Sequence, residues 1–378
     1  MKFCRSPNIL QRIALLLAVA MLLASCAGPE KPKPADLGPN TVLLGVVPAW
    51  NASVGPVSFP LDVRVVGSQA YVAGSNGTVV AVDAASGKDI WRMTLDTGIT
   101  AGVGSDGKFA AVVSQANDLI VIEGGKVLWR QRLGALTLTA PLVAGARVFV
   151  LAADRSVSAF DAATGRRLWQ QQRTGDPLVL GQAGVLTAVG DTLVVGIGGR
   201  LVGMNPLSGV LRWDAPLANG RGTNEVERLV DLVSGVSRDG DQVCVRAFQS
   251  MVGCVDASNG RVVWSKASVG STGITGDSTV VFGTESDGKL VAWRRTDGER
   301  MWVAERLRFR GLSAPLLLGQ SLVVGDATGL LHFLSRQDGS ALNRFSPDGS
   351  PIVVAPVLAG GTLVVVTQRG GVFGFRAE

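Results

Sequence analysis

The chain has 378 residues, 47% of them hydrophobic and 17% charged, with 49 glycines, four cysteines and one histidine. This balance describes a folded protein and excludes a disordered one, and glycine without a Gly-X-Y period excludes a collagen-like one. The net charge of +6 comes with no arginine-rich stripe and no aromatic platform set in basic residues, which argues against nucleic acid as a partner.

The chain opens on Lys2, Arg5 and Arg12, followed by the apolar run "IALLLAVAMLLA" from Ile13 to Ala24. A helix needs about 20 residues to cross a bilayer core, so this run is too short to span and has the length of a secretory signal core. It ends in "LASC", Leu23 to Cys26, which resembles a bacterial lipobox. Cleavage is expected before Cys26, whose thiol then carries diacylglycerol. Acyl chains at about 0.8 kcal/mol per buried methylene anchor a protein stably to a membrane when two or more are present. Ala27 stands where an inner-membrane retention signal would place Asp, which directs the protein to the outer membrane. The signal holds three basic residues and no acidic one, so the charge of the remainder falls to +3. The following "AGPEKPKPADLGPN" has proline, charge and no large apolar side chain beyond one leucine, and reads as an extended tether. The expected organisation is a signal over 1–25, a lipidated Cys26 and flexible tether over 26–40, and a folded domain over 41–378.

Within that domain one unit recurs. "AVDAASGKDIW" ends at Trp91 and "AFDAATGRRLW" at Trp169; further copies end at Trp129, Trp213, Trp264 and Trp302. A seventh, "SRQDGSALN", places Asn343 where tryptophan is expected, and "VVPAW" ends at Trp50 with no turn before it. Successive spacings are 41, 38, 40, 44, 51, 38 and 41 residues, and Trp293 is the single tryptophan out of register. A period near 40 with β-branched runs and glycine turns predicts four-stranded propeller blades. Asp is expected to accept hydrogen bonds from turn amides, Gly to take the positive-φ position, and Trp on the outermost strand to pack against the adjoining blade. Entry segments with small residues, at Thr139-Ala140-Pro141, Ser313-Ala314-Pro315 and Val354-Ala355-Pro356, suit the crowded innermost strand. The C-terminus supplies three strand-like runs and lacks a fourth, which the segment around Trp50 provides. The reading is therefore all-β, an eight-bladed propeller of four-stranded antiparallel blades closed by pairing an N-terminal strand with the C-terminal blade; seven blades is the competing count.

Catalytic chemistry is sparse. His332, within "LLHFL", reads as a packed or rim residue, and one histidine cannot build a histidine-rich metal centre. No phosphate-binding glycine loop stands between a strand and a helix. No catalytic, cofactor-binding or metal-binding residue is assigned. Cys4 is lost with the signal, leaving Cys244 and Cys254 on two strands of one hairpin, on the same sheet face. A cross-strand disulfide and two buried thiols are both open; either serves stability.

The A-x-D-x-x-[ST]-G-x-x-x-W unit resembles the repeat of quinoprotein propellers. The pyrroloquinoline-quinone dehydrogenases share eight blades, but their adjacent cysteines and calcium ligands have no counterpart here. Over nearly its whole length the chain resembles the BamB family, lipoproteins of the outer-membrane β-barrel assembly (BAM) machinery. The stretches "PAWNASVG" at 48–55, "TNEVERLVDL" at 223–232 and "RGLSAPLLLGQSLVVGDATGLLHF" at 310–333 carry that resemblance together with the lipobox and the repeats. The resemblance implies a non-enzymatic scaffold without cofactor, docking on the POTRA domains of BamA beside other BAM subunits and assisting unfolded outer-membrane proteins. It maps a BamA contact onto Leu178, Leu180, Arg228 and Asp231, with Gly181 standing where the family has Arg and Val233 at a further acidic position. Independently, the 51-residue spacing makes the crossing after Trp213 about ten residues longer than the period requires, and surplus loop length is a functional signal. A quinone-dependent dehydrogenase and a general peptide-binding propeller are the alternatives.

Overall fold

A computed structural model describes residues 32–173, 178–220 and 229–377. Among them are 32 strands in eight four-stranded antiparallel sheets, and each sheet is one blade. Blade one runs Arg64–Val66, Gln69–Ala73, Thr78–Asp83 and Asp89–Thr94, from innermost to outermost. Blades two to seven repeat that order, beginning at Ile99, Leu142, Leu186, Leu232, Ile274 and Leu316. Blade eight takes Val357–Ala359, Thr362–Val366 and Gly371–Ala377 from the C-terminus and its outermost strand, Val46–Ser53, from the N-terminal side. Trp50 pairs with Gly374 and Ser53 with Gly371. This pairing leaves the last C-terminal strand no open edge. The eight-blade reading and its closure hold.

The middle strands of each blade are apolar on both faces because each sheet is packed between two others. Val79 to Val82 and Leu119 to Ile122 are fully buried. Trp293, the tryptophan out of register, lies on such a strand and is 2% exposed, a core residue.

The repeated letters describe one device between blades. Asp83 Oδ1 accepts from Ser86 N at 2.8 Å, and Asp161 Oδ1 from Thr164 N at 2.9 Å, closing the turn before the outermost strand. The glycine four residues after the aspartate is left-handed, as at Gly87 (φ 73°) and Gly165 (φ 74°). The tryptophan of the preceding blade lies flat on it. A Cβ at Gly87 would stand 2.5 Å from Trp50 Cγ, and one at Gly165 would stand 2.7 Å from Trp129 Cδ2. The indole N–H then donates to a carbonyl of that turn, from Trp50 to Ala84, Trp129 to Ala162 and Trp213 to Ala257, each at 2.8 Å. Glycine is required here twice over, for its φ and for its missing side chain.

Asn343 departs from this pattern for a topological reason. Blade eight takes its outermost strand from the other end of the chain, so it has no turn for a seventh-blade indole to cover. The N-terminal segment lies there instead. Asn343 Nδ2 donates to Leu44 O at 2.8 Å, and Asn40 Nδ2 donates to Asn343 Oδ1 at 3.1 Å. The packed unit begins at Ala35, whose N–H donates to Arg308 O at 2.9 Å and whose carbonyl accepts from Arg310 at 3.0 Å. Residues 35–40, expected within the flexible tether, therefore belong to the propeller.

Candidate functional site

Two classes of connection share one face of the disc: the crossings from an outermost strand to the next innermost strand, and the hairpins joining second to third strands. The crossings after blades three and four meet there. Gly184 and Val233 form an isolated antiparallel bridge, and Ser234 N donates to Ala183 O at 2.8 Å. The Leu180 N–H donates to Asp231 Oδ2 at 2.9 Å. Leu178 is 37% exposed, while Leu180 and Asp231 are half-buried. Two segments 51 residues apart are thus joined into one surface, and three of the expected contact residues lie on it. Arg228 and Cys26 lie outside the described residues.

Beside Leu180 opens a pocket of about 60 Å³, walled by Leu138, Leu151, Leu180, Ile197 and Leu232, with Arg155 and Asp231 also lining it. Sequence reasoning did not single out Arg155, Leu138 or Ile197. They come from two neighbouring loops and the end of the strand Thr192–Ile197, whose convergence only the ring supplies. For Arg155 a signal exists in the repeats: aligned hairpins place Gly77, Gly288, Gly329 and Gly370 at its position, with Asn117 and Ser250 in two others.

The axial channel has a different character. Its space of about 230 Å³ is lined by the innermost strands of blades one to five. Asp62, at the entry to blade one, faces Ser234 of blade five, whose hydroxyl donates at 3.4 Å. Burial by the surrounding walls pushes the Asp62 carboxyl up to about 6, against the smaller lowering by Ser234. Among the described residues no three of His, Cys, Asp and Glu gather closely enough to hold a metal ion.

The remaining chemically notable groups are structural. His332 is buried, with Nε2 2.8 Å from Asp326 Oδ2. Asp326 also accepts from Arg310 Nε at 2.7 Å, Thr328 N at 2.8 Å and Leu330 N at 3.0 Å. Burial raises its pKa, but these bonds, His332 foremost, outweigh it and hold the carboxyl far below its usual range. Cys244 and Cys254, directly paired across their hairpin, are joined by a disulfide. Arg295 Nη1 lies 3.4 Å from Cys244 Sγ in the same buried layer.

These features define a closed eight-bladed propeller with a walled pocket on one face, where two inter-blade crossings meet. The family model described as outer membrane protein assembly factor BamB matches residues 75–304. A relative of that name from Burkholderia pseudomallei is 37% identical over 98% of this chain and 99% of its own length. Another from Bordetella pertussis is 32% identical over 98% of both. The chain belongs to the BamB family. The crystal structure of BamB from Moraxella catarrhalis superposes with a TM-score of 0.78 at 21% identity, covering 88% of this chain and 99% of that one. The quinohemoprotein alcohol dehydrogenase of Comamonas testosteroni superposes at 0.68 with 16% identity, over 88% and 76%, a likeness of fold alone.

Proposed function

We propose that this protein is a non-enzymatic scaffold subunit of the BAM complex, held at the periplasmic face of the outer membrane by lipid on Cys26. It docks on the POTRA domains of BamA through the face carrying Leu178, Leu180 and Asp231, with Arg228 in the same crossing, and works beside the other BAM subunits. The full-length match to relatives named outer membrane protein assembly factor supports the complex. The observation that carries the docking site is the Leu180–Asp231 hydrogen bond, which unites the two crossings into one surface. Closed rings of sheets are rigid, so a partner seated on one face is held in a fixed orientation. Blade edges at the rim also offer unpaired backbone to unfolded outer-membrane proteins by strand addition.

The test is co-purification of the mature chain with BamA from detergent-solubilised envelopes. An exposed leucine buried in an interface contributes roughly 1.5–3 kcal/mol, so Leu178→Glu with Leu180→Glu is expected to abolish recovery. Recovery equal to wild type would remove these residues from the site.

A further inference from the structure

We infer that Arg155 is the cationic anchor of this docking face, and that the partner presents to it a carboxylate adjacent to an aliphatic side chain that enters the pocket beside it. The inference rests on the docking reading above and adds the chemistry of the partner's surface.

The first observation is a conformational conflict visible inside the chain's own repeats. In the hairpins between second and third strands, the tight blade-four turn apart, the fourth residue donates its N–H back to the first residue's carbonyl. Gly77 donates to Gly74, Gly288 to Glu285, Gly329 to Asp326 and Gly370 to Thr367. All four glycines are left-handed, with φ between 85° and 93°. Ser250 makes the bond to Ala247 in blade five without a positive φ, and two residues with side chains make it left-handed: Asn117 to Ser114 at φ 63° in blade two and Arg155 to Ala152 at φ 65° in blade three. A Cβ opposes that backbone region, which glycine enters freely. The left-handed turn favours glycine or asparagine, and arginine is neither, so the reason for arginine lies in its side chain.

The second observation is where that side chain goes. The guanidinium crosses Gly198 of the next blade, where a Cβ would stand 2.9 Å from Nη1. Its Nε is buried without a hydrogen-bond partner. Among the described residues it makes no ion pair, and Asp231 already accepts the Leu180 amide. A buried, unpaired donor on a charged group is costly alone and is relieved by a charge-assisted bond to a carboxylate.

The third observation is the neighbour. Leu138, Leu151, Leu180 and Ile197 wall the pocket that Arg155 also lines, with room for one aliphatic side chain. A cation next to a largely aliphatic pocket complements a Leu, Ile or Val adjacent to Asp or Glu. The charge pair supplies steering and register, and the aliphatic group supplies the desolvated contact.

The experiment is titration calorimetry of the full mature chain in detergent against the POTRA domains of its own BamA, at low and high salt, with melting temperatures measured in parallel. Arg155→Gly is expected to keep or raise the melting temperature, because the turn is relieved, while weakening Kd at least tenfold. Arg155→Glu is expected to weaken it further and Arg155→Lys to recover part of the loss. Wild-type affinity should fall with salt more steeply than that of Arg155→Gly. Binding by Arg155→Gly and Arg155→Glu within twofold of wild type overturns the assignment and leaves the docking reading standing. A loss of melting temperature in Arg155→Gly that parallels its loss of affinity assigns Arg155 to the scaffold and also overturns it. Absence of wild-type binding overturns the docking reading and this inference together.

Discussion

Replacing Asp326 with Asn tests how the seventh blade is held. The carboxylate is fully buried and faces Arg310, whose side chain is 9% exposed, and His332, 3% exposed. Asparagine keeps the shape but removes the charge and turns one acceptor into a donor aimed at a donor. Arg310 is then a buried cation without its counterion, a loss worth about 3–5 kcal/mol. A domain of roughly 340 residues unfolds with an entropy of about 0.7 kcal/mol per degree, so the melting temperature should fall by about 4–7 °C. The control is Asp83→Asn in an exposed turn, expected to shift it by about 1–2 °C at most. The pH dependence carries a sign. Because the folded carboxyl lies below its ordinary 3.8, the stabilisation is complete above that value and is lost as pH falls below it. The gap between wild type and variant should therefore be constant from pH 7 to 5 and narrow below pH 4. A variant melting within 1 °C of the control at pH 7 would refute the buried ion cluster.

Asp62 should behave in the opposite sense. Its carboxyl is raised from 3.8 to about 6, so the folded state is favoured while it is protonated and loses stability as pH rises from about 4 through 6. Asp62→Asn is expected to raise the melting temperature at pH 7.5 and leave it unchanged at pH 4, read by calorimetry. The Cys244–Cys254 disulfide closes a loop with a sequence separation of 10, worth about 2–3 kcal/mol by chain entropy. Reduction should lower the melting temperature by about 3–4 °C without altering affinity for BamA. A chain beginning after Ser53 lacks the outer strand of blade eight and exposes the edge of Gly371–Ala377. Size-exclusion chromatography should show it aggregated, whereas a chain beginning at Val46 should remain monomeric.

The architecture was legible because the period is written in residues that the seams require. Gly87, Gly165 and Gly209 must be glycine for the ring of Trp50, Trp129 or Trp169 to lie on them, so the spacing of these letters is the spacing of blades. Even the defect at Asn343 is informative, since it falls where blade eight has no turn to cover. The candidate site was only half legible. Family resemblance marked Leu178, Leu180 and Asp231, and surplus loop length marked the crossing that holds Asp231, but the Leu180–Asp231 hydrogen bond depends on two crossings meeting across a blade boundary. Arg155 stood in an ordinary hairpin, and it stands out only when equivalent turns are superposed, four of them showing glycine and one Asn117. The contacts that Ala35 makes to Arg308 and Arg310 were not legible, because proline and charge around it read as extended chain.

On the proposed reading, the face bearing Leu178 and Leu180 meets BamA in the cell. A photoreactive amino acid at Leu178, activated in intact envelopes, tests it most directly. The account predicts one principal adduct, containing BamA and mapping to its POTRA domains, and none from the same probe at Ser258 on the opposite face. An adduct pattern equal at both positions, or one without BamA at Leu178, would contradict it.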